Sequence, residues 1–494
     1  MSLLSLFPLC SLAMHSGGAR GGAPDVNVFE CTANDLVGKA FILTFCFIVP
    51  AKLPIERLRS SLFSTVETTM QRAGARLVRR KGVLEFHIPS RFSESTPPCA
   101  FSSRHNDTLL AAQQLPLPPQ PAHTDDARPR FMPALSQKDL AHFRPQPCPS
   151  SLVDFLKPNI PMLHVHLTTF EDATLLGITF PHILFDVHGL KTLLTAWTAT
   201  LRGEADHIVP SPLDFAPLSR EGTKRALEEA DRGGQLEAKR DADEPIRGFF
   251  ALSVWSTILF VIGLIWRIVT DSQEVDLLVR IPKPWLREKK NEIVQELKAS
   301  GSDEWVSTSD VLLAWLFQTV HAHRKDDTPI ALHSAVNLRT LLPNMFDAPF
   351  INNAVHAVVV RPPIAASQLA TQPLRETALS LRRALQKLKE DTDQVLVELA
   401  DVADHPNRVL FPARPGEEWA VATNWLSAAF LELEFVDGAG VRVRPTWFTG
   451  MHQEKVGLPL RGTGAVHCED EHAIWAMWTM SRKDKVALEK FGVI

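Results

Sequence analysis

Apolar and polar positions along this chain follow two different periods. Continuous apolar runs of strand length stand at 40–49 (AFILTFCFIV) and at Leu175 to Phe180, the pattern of strands buried on both faces. Strict alternation in HSAVNLR, AVHAVVV and, near the end, AIWAMWTM predicts half-buried strands. A further strand is expected at Glu274 to Ile281. A helical period begins at Ser307, where Ser307 and Asp310 have capping-box spacing, and puts Val311, Leu312, Trp315, Leu316 and Val320 on one face. Trp315 therefore reads as core. Arg375 to Val402 reads as one amphipathic helix with a charged outer face. Mixed strands and helices in two comparable halves predict an α/β architecture, and no internal repeat is evident.

The pattern breaks in four places. Residues 1–27 begin apolar without a basic opening, Pro8 interrupts them, and Gly17 to Pro24 is Gly- and Ala-rich, so a flexible leader is expected. Residues 91–150 carry Pro-Pro pairs at 97–98 and 118–119 and read as a long irregular excursion. Residues 203–247 turn charged, with a helix broken at Gly233-Gly234, and read as a crossover between domains 28–202 and 271–494. The crossover, taken as 203–270, ends in an uncharged stretch, Phe249 to Trp266, flanked by Arg247 and Arg267. Its 18 residues reach the minimum for a membrane span. Three readings stay open there: a helix buried against the body, a monotopic anchor, or a true span.

Composition narrows the class. A chain of 494 residues, 45% hydrophobic and 22% charged, fits a globular protein with a sizeable core. A net charge of -4 argues against nucleic acid as a partner. Six scattered cysteines without a Cys-x-x-Cys pair suggest neither zinc nor a disulfide framework, and fit a reducing, cytoplasmic compartment. Tyrosine is absent, which excludes tyrosine catalysis and leaves 11 tryptophans and 27 phenylalanines to line any pocket.

The candidate chemistry lies in TFPHILFDVHGLKTLLTAW, residues 179–197. His182 sits at a strand exit, Asp186 follows four residues later, and Gly189 precedes an apolar helix from Leu190 to Trp197. A histidine so placed can carry its imidazole into a cleft and act as a general base. Spacing alone is weak: with 18 histidines, roughly one such match arises by chance. His323 and Asp327 repeat the spacing in a charged stretch that reads as a solvated helix end. Asp186 has two readings, orienting the imidazole or pairing elsewhere. His188 has no metal-type spacing on either side and reads as a bystander.

HILFDVHGL resembles the active-site signature of the BAHD acyltransferases, most closely their fungal, trichothecene acetyltransferase-like branch. The likeness extends in order over residues 28–494. VFECTANDLVGKAFILTFCFIVP is similar to the family's opening strand, and residues 58–89 to its first helix and hairpin. VSTSDVLLAWLFQTV resembles the helix opening its second half, AVNLRTLLP a strand carrying a structural arginine, and VATNWLSAAFLELEF the approach to a second signature. The resemblance implies two similar-sized domains of mixed sheet plus helices, chloramphenicol acetyltransferase-like, with the site in a tunnel between them. It implies acyl-coenzyme A as co-substrate and no bound cofactor or metal. The acceptor is a small hydroxylated metabolite, and the enzyme a monomer. His182 becomes the base. Asp186 is turned to Arg339, with Gly189 as a structural neighbour. Thr423 donates to the oxyanion, and Trp425 forms a pocket wall.

The second signature departs from the family: Glu434-Phe435-Val436-Asp437-Gly438-Ala439-Gly440 lacks the tryptophan. That departure leaves a catalytically inactive binding protein as one alternative, and the apolar stretch 249–266 leaves a membrane-associated protein anchored by it as another. A span through 249–266 would separate His182 from Thr423 across a bilayer. No Gly-x-Ser-x-Gly elbow, dinucleotide fingerprint or phosphate loop is present.

Overall fold

The computed structural model describes residues 26–115, 128–231, 249–406, 408, 410–452 and 461–494. The expected leader, the Gly233-Gly234 break and Pro118-Pro119 lie outside the described residues.

Two mixed sheets organise the chain. The first runs, in order, Trp447–His452, Ile42–Val49, Thr174–Pro181, His164–Thr169, Ala100–His105. Its two apolar central strands, Ile42–Val49 and Thr174–Pro181, are buried at every position, as continuous hydrophobic runs require. They pair antiparallel from Ile42 against Pro181 to Val49 against Thr174. The Ile55–Thr68 and Val187–Leu201 helices pack together, tied where the Trp197 indole donates to Leu58 O at 3.1 Å and Ser61 Oγ at 3.0 Å.

The second sheet runs Val355–Val359, Pro329–Asn337, Glu418–Asn424, Thr463–Glu469, Ala473–Ser481, Glu274–Pro282, Arg130–Pro133. The Thr308–His321 helix packs into its core through Val311, Leu312, Leu316 and Phe317, and Ser307 and Asp310 close the expected capping box.

Each half lends the other a strand. Arg130–Pro133 pairs with Arg280 to Leu277 at the edge of the second sheet. Trp447–His452 pairs with the Ile42–Val49 strand of the first, Phe448 opposite Phe47. The division at 202 and 271 is thus crossed in both directions.

Three expectations are revised. The 91–150 excursion is not wholly irregular: Ala100–His105 lies parallel to His164–Thr169, and Arg130–Pro133 joins the second sheet. Their partners are remote in sequence, so no local period marks them. The 375–402 helix is two, Leu374–Glu390 and Thr392–Asp404, because Asp391 leaves helical geometry and its carboxylate caps Gln394 N at 3.2 Å. The apolar stretch forms a helix at Val254–Thr270, none of whose residues is buried, which removes the reading of a helix sunk into the body. No helix among the described residues is long and apolar enough to cross a membrane.

Candidate active site

The loop from His182 to Asp186 leaves the Thr174–Pro181 strand and enters the Val187–Leu201 helix, with Asp186 as N-cap. His182 N donates to Phe41 O at 2.8 Å. Gly38, which ends a short helix at Ala33–Val37, faces the imidazole so closely that a Cβ there would lie 2.7 Å from His182 Cγ. His182 Nδ1 is buried and has no hydrogen-bond partner among the described residues. Backbone and packing therefore orient the ring, without a carboxylate.

Asp186 is spent elsewhere. Its Oδ1 accepts from Gly189 N at 2.7 Å, and its Oδ2 from Arg339 Nη1 at 2.8 Å and Ala354 N at 2.7 Å. Burial pushes this carboxyl up, but the Arg339 guanidinium and the two backbone donors outweigh it and hold the pKa below the ordinary carboxylate value. The pKa of the next histidine, His188, is pushed down by burial, with Asp186 opposing and Arg339 adding.

Arg339 lies two residues beyond its strand, in a one-turn helix at Leu338–Leu341. There its Nε donates to Phe350 O at 2.9 Å and its Nη2 to Asn352 O at 2.6 Å. This shapes the segment Phe350–Ala354 into a strap against the motif loop. Asn352 Nδ2 donates to Leu184 O at 2.9 Å, and Asn353 Nδ2 to His182 O at 2.9 Å and Ile183 O at 3.0 Å. Asp35, wholly buried, accepts from Asn353 N at 3.2 Å, and burial raises its pKa. Gly189 serves this strap. It is the third helical residue, not the turn, and a Cβ there would meet Ile351 O at 1.8 Å. Sequence reasoning missed Asp35, Gly38, Asn352 and Asn353. None belongs to a spaced motif, and the strap is recognisable only once the second half is folded against the first.

Thr423, the penultimate residue of the Glu418–Asn424 strand, is half-buried, and its Oγ1 accepts from the Trp425 indole at 3.0 Å. That leaves the hydroxyl proton available for donation. Asn424 is used structurally: its Nδ2 donates to Ser309 Oγ at 2.8 Å. Trp425, expected as a pocket wall, is only 7% exposed. It stacks on His467 with centroids 5.1 Å apart and packs against Phe45 at 5.3 Å. Phe45 in turn meets Phe180, two residues before His182, at 5.4 Å. A row of rings thus joins the motif strand to the indole that orients Thr423.

The departed second signature is an ordered hairpin, Phe435–Val436 against Arg442–Val443. Phe435 meets Trp197 edge-on at 5.9 Å, Glu434 pairs with Arg442 at 2.9 Å and Arg444 at 2.8 Å, and Arg202 donates to Glu434 O at 3.0 Å. Gly440 takes a left-handed φ of 85°, open to glycine at little cost. One group of metal-ligand type occurs among the described residues, His105, Asp107 and Glu171. It is exposed, and Lys52 Nζ already lies 2.8 Å from Glu171 there.

A model of a transferase family matches residues 135–231, which include the motif loop. The chain is 30% identical over 346 residues to the O-acyltransferase pboC of Aspergillus ustus, covering 67% of each chain. It is 27% identical over 436 residues to the acetyltransferase adrJ of Penicillium rubens, covering 85% of this chain and 82% of that one. Its fold is similar to that of TRI101 from F. sporotrichioides, solved with coenzyme A and T-2, at a TM-score of 0.63 and 14% identity over 94% of this chain and 97% of that one. The chain belongs to this transferase family, the BAHD acyltransferases, in their fungal branch.

Proposed function

We propose that this chain transfers an acyl group, acetyl in the first instance, from acyl-coenzyme A to a hydroxyl of a small secondary metabolite, acting as a monomer with His182 as general base. The observation that carries the assignment is the division of labour in the motif loop. Asp186 is consumed by Arg339 and Ala354, while the His182 backbone is gripped by Phe41 and Asn353.

In this reading the two halves form the walls of a tunnel. The imidazole removes the acceptor proton as its oxygen attacks the thioester carbon. The Thr423 hydroxyl donates to the oxygen that becomes negative. The tetrahedral species then collapses, the carbon–sulfur bond breaks, and the imidazolium returns its proton to the departing thiolate. The thioester is already activated, so no covalent enzyme intermediate is needed. General-base assistance accounts for about two to four powers of ten in rate.

Purified protein is incubated with acetyl-coenzyme A and a panel of hydroxylated metabolites, with free thiol as readout. Acceptor-dependent thiol release that disappears in His182→Ala is the expected result. Binding of acyl-coenzyme A without release for any acceptor would support a non-catalytic descendant instead.

A further inference from the structure

We propose that the Val254–Thr270 helix is a monotopic foot that seats the enzyme on the surface of an anionic phospholipid bilayer. At about 100° per residue, Trp255, Ile258, Leu259, Ile262, Trp266 and Val269 fall within one stripe roughly 100° wide, and all six are exposed. The opposite side is engaged. Phe260 stacks on Trp419 at 5.6 Å and meets Phe411 at 4.8 Å, and Arg267 pairs with Glu418 at 3.0 Å. The helix is therefore held tangentially, and its apolar side turns outward by construction. It could not become a span without losing these contacts.

Two features select a bilayer as the occupant. The stripe carries a tryptophan near each end, 75% and 68% exposed at 255 and 266. Eleven residues separate them, about 16 Å along the axis, so both indoles can sit at one depth. Indoles lie at the level of lipid headgroups, where the ring is covered and the N–H finds an oxygen. The rest of the stripe offers no hydrogen-bonding group, whereas a protein partner is usually met by a polar rim.

The second feature is charge. The neighbouring carboxylates are paired with arginines: Glu418 with Arg267 and Arg324, the latter shared with Asp326, Glu417 with Arg361, and Asp271 and Glu274 with Arg461, which leaves one negative charge in excess among these nine groups. Three exposed cations are left beside the helix. Arg414 flanks it over the Phe250 ring, Lys483 caps its last turn at Thr270 O, and Arg482 binds Gln273. None of the three makes an ion pair among the described residues. A chain of net charge -4 thus carries a net excess of about two positive charges beside this helix, where anionic headgroups would meet them.

The full-length protein is floated with vesicles of phosphatidylcholine containing about a third phosphatidylserine. The wild-type chain is expected to rise with the vesicles. Trp255→Glu with Trp266→Glu lowers the bound fraction at least about tenfold, with melting temperature and transfer to a water-soluble alcohol unchanged. Arg414→Ser combined with Arg482→Ser and Lys483→Ser weakens binding to these vesicles but not to phosphatidylcholine alone. Failure of the wild type to float overturns the proposal, as does equal flotation of the double tryptophan variant. A dimer in light scattering that the same two tryptophan changes dissolve also overturns it, by assigning the stripe to a second copy.

Discussion

The chain contains two His-x-x-x-Asp segments of identical spacing, and the fold treats them in opposite ways. His182 and Asp186 bridge a strand and a helix, and both are gripped by the Phe350–Ala354 strap of the other half. His323 and Asp327 follow the end of the Thr308–His321 helix. His323 Nε2 lies 3.1 Å from Asp484, and Asp327 accepts from Ser367. The first pair is enclosed between halves and its members have separate tasks. The second sits on one half: Asp327 is exposed there, whereas the His323 side chain, expected to be solvated, is only 12% exposed because it packs under Asp484 of the last helix. Spacing says which residues are near in sequence; what makes a site is which remote segment closes on them.

The largest expected effect tests that contrast at the base. His182→Ala should lower kcat/KM by at least about a hundredfold with melting unchanged. Equal effects in His182→Ala and His323→Ala, compared under the same conditions, would erase the distinction.

The next effect is on stability. Asp186→Ala and Arg339→Ala should each cost about 3 to 5 kcal/mol, since each strands a buried charge, while the double variant costs less than the sum. Denaturant midpoints of the four proteins measure the coupling, and additivity would mean that the pair is not the clamp. The pH sign follows from the depressed pKa. Asp186 contributes its full stabilisation above its unfolded value of about 4, and loses it as pH falls through the lower folded value. Asp186→Asn should therefore flatten the acid limb of the stability profile.

Thr423→Val keeps shape and removes the donor, so kcat and kcat/KM should fall together by about ten- to a thousandfold. A change confined to KM in steady-state kinetics would make Thr423 a binding residue. The smallest effect on activity is that of His323→Ala: turnover unchanged, with a stability loss of about 1 to 3 kcal/mol from the largely buried imidazole and its contact with Asp484, read from thermal melts.

Much of this was legible in the residues. The strand–His–Asp–Gly–helix order, the Ser307 capping box and the buried strand at 40–49 are local patterns, and local patterns survive in one dimension. The break at Asp391 is masked in the sequence, because the amphipathic period runs on across it from one helix into the next. Asn352 and Asn353 were not legible, since an asparagine in a loop has no period and its acceptors, Leu184 O and His182 O, lie 168 and 171 residues away. Gly189 is legible in the sequence only as a neighbour of the motif, because its purpose, to let the Ile351 carbonyl approach, depends on a segment of the other half. The family resemblance supplied Arg339 as the partner of Asp186; composition and period could not.

The lent strand has a consequence for synthesis. Thr446 N donates to Ile48 O across 398 residues of chain, at the start of the pairing that completes the first sheet. Until the ribosome has passed residue 452, the Ile42–Val49 strand keeps one open edge. At ordinary elongation speeds that interval is roughly 20 to 80 seconds. An apolar strand with unpaired amides is a template for any other extended chain during that time. The amino-terminal half therefore cannot finish folding as it emerges. A message truncated shortly before this strand is encoded leaves not half an enzyme but an adhesive fragment.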